Sequence, residues 1–347
     1  MNLNTFTKIL RMKKRIQFLS LLLSLISFLS IGQIKNDTIL KPMKLSQPNY
    51  LKAGDSIAIV APAGILINKE EMIGKAKELA ESWGLKVLIG AHVFSQNDHF
   101  AGTDQERASD FQKALDNPSI KAIWCARGGY GSVRILDKLD FAKFKLNPKW
   151  IVGYSDITAL HSHLHNLGIE SIHAMMGSSL AFDDLETKES IETFRKALFG
   201  ESLTYTIASS AENKIGTGEG LLVGGNLSLL QSLLGSNSQI NTDHKILFIE
   251  EIGEYKYHID RMLQSLKRAG YFDYCNGLIV GDMSNIKKNT TAWGSSIEQL
   301  ILDVVDDYEF PVIFNFPAGH ETDNRALILG KTVQMNVSSI TSEIIFK

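Results

Sequence analysis

The sequence has almost no cysteine: Cys125 and Cys275 are the only two in 347 residues. So low a count excludes a disulfide scaffold, and neither residue has a partner at zinc-site spacing. Both lie in or beside apolar, strand-like runs, so two buried free thiols are expected, with a single disulfide in an oxidising compartment as the alternative. Net charge is also nearly absent. Lys and Arg total 36 against 38 Asp and Glu, leaving −2, and no long basic run lies outside the N-terminus. Nucleic acid is therefore not an expected partner. No internal repeat and no low-complexity segment stand out after the first residues. What remains is an ordinary globular composition, 44% hydrophobic, at a length that suggests two domains.

The N-terminus is the exception. Lys8, Arg11, Lys13, Lys14 and Arg15 precede an apolar stretch at residues 18–31, and Ser30 and Gly32 offer small side chains before Gln33. That order predicts a secretory signal peptide over residues 1–32, with Met12 as an alternative start. An uncleaved anchor helix is the other reading, although the stretch is short for a span. No cysteine follows it, which argues against a lipoprotein anchor. The expected location is exported, in the periplasm, with the cytoplasm as the alternative. Residues 33–50 read as a polar linker.

From there apolar strand-like runs alternate with amphipathic stretches. Strands are expected at residues 56–60, 86–89, 120–125 and 150–154, with helices at 69–83, 104–115 and 131–139 between them. The alternation predicts a parallel sheet covered by helices in a domain spanning 51–200. Residues 201–218 are polar and weakly patterned, and read as an interdomain linker. The second α/β domain, 219–347, has strands expected at 246–249, 278–280 and 312–316 and helices at 257–268 and 295–305.

The most informative segment is Lys149-Trp-Ile-Val-Gly-Tyr-Ser-Asp-Ile-Thr158. It reads as strand, tight turn and helix, with Ser155 at the turn. Such a serine stands out of the sheet edge, and the Asp156 N–H points the same way from the helix start. The pattern is not Gly-x-Ser-x-Gly, and a plain N-cap serine is the rival reading. Glu250 follows the apolar run 246–249, and His320 follows the run 311–319. A serine, a carboxylate and a histidine at strand ends can converge on one edge of an α/β assembly, where ligand sites lie. For Glu250 the rival is a strand-end salt bridge, and for His320 a turn-capping loop histidine. Glu251 and Glu254 compete with Glu250 on chemistry, but strand alternation puts Glu251 on the opposite face.

Three other features invite a functional reading. Arg127-Gly-Gly-Tyr-Gly131 could bring backbone N–H groups against a ligand. As a phosphate cradle it lacks both the Gly-Lys-Ser/Thr ending and the dinucleotide spacing, and a simple tight turn is the bland alternative. His161, His163 and His165 suggest a metal, yet there is no His-Glu-x-x-His pattern. A packed or solvated helix face is preferred, and no metal is expected. Asn226 in Gly224-Gly-Asn226 is placed to cap the helix that follows.

Taken together, Arg127-Gly-Gly-Tyr-Gly131, Gly153-Tyr-Ser-Asp-Ile-Thr158, Gly224-Gly-Asn226, Phe248-Ile-Glu-Glu251, Ile259-Asp-Arg261 and Pro317-Ala-Gly-His320 stand in the order and approximate spacing of the LD-carboxypeptidases. This family comprises the muramoyltetrapeptide carboxypeptidases and the related microcin C immunity peptidases, and the chain resembles it from about Asp55 to the C-terminus. The fold class so implied is α/β in two domains: an N-terminal parallel sheet flanked by helices, glutamine-amidotransferase-like, and a C-terminal swivelling β/α domain. The resemblance implies a serine peptidase with Ser155 as nucleophile, His320 as base and Glu250 as its carboxylate partner, with no metal and no cofactor. The Asp156 N–H and the N–H of Gly128 or Gly129 would hold the oxyanion. Arg127 is the nearest cation for the substrate's terminal carboxylate.

The implied reaction releases the terminal D-alanine from a cell-wall tetrapeptide by cutting after the L-centre of a dibasic residue. The expected partner is that small muropeptide, with no stable membrane span after signal cleavage and a homodimer as an open alternative. Other readings are a microcin-type peptidase acting on aminoacyl nucleotides, or a non-catalytic muropeptide-binding protein. One departure is His173-Ala-Met-Met-Gly177, where many relatives carry Gly-Pro; it bears on the local pocket shape.

Overall fold

The computed structural model describes residues 45–180 and 185–347. The expected signal peptide, 1–32, and linker residues 33–44 lie outside them. The first half runs β1 (Ser56–Val60), α1 (Glu70–Ser82), β2 (Lys86–Ile89), α2 (Asp104–Asp116), β3 (Ile120–Cys125), α3 (Ser132–Leu136), α4 (Ala142–Leu146), β4 (Trp150–Gly153), α5 (Thr158–Asn166), β5 (Ser171–His173) and α6 (Leu185–Phe199). The second half runs β6 (Thr204–Ala208), β7 (Gly216–Asn226), α7 (Leu227–Ser232), β8 (Lys245–Ile252), α8 (Lys256–Arg268), β9 (Gly277–Ser284), α9 (Ile297–Val305), β10 (Val312–Ile313), β11 (Leu327–Leu329), β12 (Thr332–Val337) and β13 (Thr341–Phe346).

The architecture is a two-domain α/β fold built on two sheets flanked by helices. The first sheet has the order β11-β5-β4-β3-β1-β2, and β1 to β5 are mutually parallel. Its strands are apolar on both faces, as helix-covered parallel strands must be. Ile57, Ile59, Trp124 and Val152 face one core, and Ala58, Val60, Ile123 and Ile151 face the other. The second sheet has the order β10-β9-β8-β7-β12-β13-β6. It is parallel from β10 to β7 and antiparallel beyond. Helix α8 shows the helical period plainly: Ile259, Met262, Leu263 and Leu266 are buried against the outer face of this sheet. A single apolar cluster contains Ile172 and Trp150 of the first sheet with Phe248, Ile279 and Val333 of the second, so the halves share a core.

Three expectations are corrected. The stretch 201–218 is not wholly linker: β6 lies in it and pairs antiparallel with β13. Its polarity has a physical cause, because an edge strand buries few side chains; Tyr205 is the one fully buried here. Nor is the first sheet purely parallel or built from the first half alone. β11 returns from the second half and pairs antiparallel with β5, Leu327 opposite His173. Finally, the run before His320 is strand only over β10. The chain then leaves the sheet through Asn315, whose φ of +58° no strand residue adopts. Cys125 and Cys275 are buried free thiols. Among the described residues no helix is long and apolar enough to cross a membrane.

Candidate active site

Strand β4 ends at Gly153, and a short 3-10 turn, Ser155–Ile157, leads into α5. Ser155 sits in this turn with φ +60°. A serine gains nothing from the left-handed region on its own and is held there at a cost of about 1–3 kcal/mol. The turn is braced from behind. His161 of α5 lies 2.9 Å through Nε2 from the Gly153 carbonyl and 2.8 Å through Nδ1 from Ser171 Oγ. It is buried, and burial pushes its pKa down to about 4. Burial likewise takes His165 to about 4, and His163 is hydrogen bonded to Ser238 Oγ at 3.0 Å. These histidines support the helix and its packing. Among the described residues, no three His, Cys, Asp or Glu side chains are grouped to hold a metal ion.

Ser155 meets His320 across the shared core. Its Oγ lies 3.0 Å from His320 Nε2, and His320 Nδ1 lies 2.7 Å from Glu250 Oε2. Glu250 is fully buried near the end of β8. Burial works against a charged imidazole here, but the hydrogen bond and charge of Glu250 outweigh it, so the His320 pKa stands above the ordinary value. The Tyr154 ring packs edge-on to His320 at 5.0 Å, and its hydroxyl reaches Ser179 Oγ at 3.3 Å. Glu251 points away, as alternation requires. It accepts from Ser228 N–H at 2.8 Å, Ser228 Oγ at 2.7 Å and Asn226 Nδ2 at 3.2 Å. Glu254 is taken by His258.

The glycine cluster lies against the serine turn. A Cβ on Gly128 would stand 3.4 Å from the Asp156 nitrogen and 3.3 Å from Met176 Cε, so the glycine loop packs close to the start of the serine turn. The Asp156 carboxylate fixes the same junction by accepting the Ser132 N–H at 2.8 Å, at the start of α3. Gly129 follows with φ +92° and is solvent-exposed. Arg127 is half-buried and donates to the Ile65 carbonyl. Asn226 caps α7 by accepting the Leu229 N–H at 3.2 Å. Its own N–H donates to Thr158 Oγ1 at 3.0 Å.

Ser155, His320 and Glu250 are thus brought together, with Asp156 and Gly128 beside them, while Gly129 lies on the solvent side of the loop. The sequence did not single out His161 as a brace or Thr158 as a tether. A polar residue among the apolar positions of an inward helix face was the available sign for both. Asp282, at the end of β9, was also missed. Its Oδ2 accepts the Glu321 N–H at 3.0 Å, next to His320.

The chain is similar to known proteins over most of its length. Residues 57–174 match the LD-carboxypeptidase N-terminal domain, and residues 219–335 match the LD-carboxypeptidase C-terminal domain. The chain is 36% identical over 305 residues to a Bacillus subtilis protein named "Probable murein peptide carboxypeptidase", covering 86% of this chain and 94% of the relative. It is 28% identical over 285 residues to the murein tetrapeptide carboxypeptidase of Pseudomonas aeruginosa, covering 80% and 91%. Among solved structures, the muramoyltetrapeptide carboxypeptidase of Oxalobacter formigenes superposes with a TM-score of 0.76 at 27% identity, covering 84% of this chain and 98% of that one. An MccF-like protein of Bacillus anthracis gives 0.77 at 25% identity, covering 87% and 100%. Two domain matches in the right order, on a fold that brings their strand ends together, leave one assignment: this chain belongs to the LD-carboxypeptidase family.

Proposed function

We propose that the protein is an exported serine LD-carboxypeptidase that removes the terminal D-alanine from murein tetrapeptides. The observation that carries it is the line of contacts from Ser155 Oγ through the His320 ring to Glu250, at 3.0 Å and 2.7 Å. Relatives named murein peptide and murein tetrapeptide carboxypeptidase support the choice of substrate. Likeness to MccF at 23% identity supports the fold alone and does not favour an aminoacyl nucleotide.

In this reading His320 Nε2 takes the proton as Ser155 Oγ attacks the carbonyl carbon of the dibasic residue. Glu250 holds the Nδ1–H tautomer and stabilises the imidazolium. The Asp156 N–H, with that of Gly128 or Gly129, receives the oxyanion. Collapse breaks the C–N bond, and His320 hands its proton to the amine of the departing D-alanine. Water then attacks the acyl-serine with His320 again as base, which returns the tetrapeptide shortened by one residue. Arg127 is the proposed partner for the terminal carboxylate of the substrate. A binding protein without chemistry would have no use for a serine at φ +60° facing an imidazole.

The test is incubation of purified protein with a murein tetrapeptide, followed by mass spectrometry. Loss of one alanine by wild type and none by Ser155→Ala is expected. An unaltered tetrapeptide with wild type ends the proposal.

A further inference from the structure

We propose that Asp282 is a positioning residue for His320, gripping the turn that carries the imidazole and supplying negative charge beside it. This rests on the Ser155–His320–Glu250 reading above and adds a residue to it.

The sheet itself aims Asp282. Between Ile249 and Glu251 the register of β8 against β9 slips: Ile249 pairs with Val280, but Glu251 pairs with Met283. β9 thus carries one extra residue in the span Gly281–Asp282, alongside Glu250. Such a bulge bends its strand and redirects a side chain, and bulges recur next to active sites. Here it turns Asp282 toward the segment Ala318–Glu321.

Asp282 then holds that segment at both ends. Its N–H donates to the Ala318 carbonyl at 3.0 Å, and its Oδ2 accepts the Glu321 N–H at 3.0 Å. Between them Gly319, at φ +146°, packs so closely that a Cβ there would come within 2.8 Å of Asp282 Cβ. In addition, Asn324 Oδ1 accepts the Gly319 N–H at 3.2 Å, and Glu321 accepts from Ser284 Oγ, two residues beyond Asp282 on β9. His320 is the residue these contacts bracket. Its ring must satisfy two short distances at once, so a turn free to shift would lose one or the other.

Charge gives a second effect. The groups around His320 are Glu250 of β8, Asp282 of β9, and Tyr154 and His173 from the first half, with the charge of Glu251 acting from the far face of β8. Asp282 also faces Glu321 of the His320 turn. Burial raises its pKa to about 6, against the bond from the Glu321 N–H, while Glu321 and Glu250 add to the rise. Ionised Asp282 therefore favours imidazolium at His320, and its removal lowers the basicity of that ring.

Two variants separate grip from charge. Asp282→Asn keeps an oxygen for the Glu321 N–H and removes the charge. Asp282→Ala removes the charge and the side-chain acceptor together, leaving only the backbone bond to Ala318. On tetrapeptide, Asp282→Ala should lose roughly 10- to 100-fold in kcat with KM within about two-fold. Asp282→Asn should keep kcat at neutral pH within about three-fold, with the acidic limb of kcat/KM moved down by roughly half a pH unit. Thermal melts confirm folding, and if the alanine variant fails to fold, the limb of the asparagine variant decides. Wild-type kcat in folded Asp282→Ala, or an unmoved limb in Asp282→Asn, overturns the proposal. Ser155→Ala in the same assay keeps the two readings apart. Full activity there removes the triad, whereas a dead Ser155→Ala beside unchanged Asp282 variants removes only the role of Asp282.

Discussion

Thr158 Oγ1 accepts the backbone N–H of Asn226 at 3.0 Å, and this bond ties the helix after Ser155 to the strand residue paired with Glu250. Both residues are buried. Nucleophile and carboxylate come from different sheets, so their spacing depends on tethers of this kind.

Thr158→Val keeps the shape and removes the acceptor. The Asn226 N–H is then buried without a partner, a cost of about 1–3 kcal/mol. A melting temperature lower by several degrees is expected, with kcat down roughly ten-fold as the halves lose register. An unchanged melt and unchanged turnover would show that the halves are held by packing alone.

Replacement of Ser155 should separate chemistry from strain. Both Ser155→Ala and Ser155→Gly should lose at least ~10³-fold in kcat. Glycine accepts φ +60° freely and alanine does not, so Ser155→Gly should be the more stable of the two by about 1 kcal/mol. Denaturant midpoints measure the difference, and equal midpoints would count against a strained turn.

The pH dependence follows from His320. It must be neutral to take the serine proton, and its pKa stands above the ordinary imidazole value of 6.5. The acidic limb of kcat/KM should accordingly lie above pH 6.5. For stability the sign is the usual one for a histidine that gains a partner. The contribution is complete below the unfolded pKa and is lost as pH rises through the folded one. A limb clearly below 6.5 would contradict the dominance of Glu250 over burial.

Export is checked at the N-terminus. Residues 1–32 have the order of a signal peptide, so the mature chain should begin near Gln33 and be found outside the inner membrane. N-terminal sequencing of fractionated cells measures this. Intact Met1 or Met12 on cytosolic protein would be the contrary result.

The nucleophile unit was legible because its signals are local: apolar Trp150 to Val152, then Gly153, then a serine and an amphipathic helix. Alternation set Glu250 and Glu251 on opposite faces of the strand, and the family resemblance selected Glu250. The pairing of strands far apart in sequence was not legible. β6 reads as polar linker because its outward residues dominate, and Leu327–Leu329 gives no sign that it pairs with β5 in the other sheet. Asp282 was hidden for a related reason. A bulge is a property of two paired strands, and neither strand alone announces the slip. The φ of Ser155 likewise depends on the surroundings, since no residue type in the turn demands it.

Because β11 forms the edge of the first sheet, the outer side of β5 has no partner until Leu327–Leu329 has left the ribosome. The sheet that bears Ser155 is therefore begun early in synthesis and completed almost last. Through that interval its open edge is a place for mispairing or for a chaperone to hold. His320 precedes β11 by only a few residues, so the ring that faces Ser155 and the strand that closes the sheet arrive together. A nascent or truncated chain carries the serine with nothing to activate it.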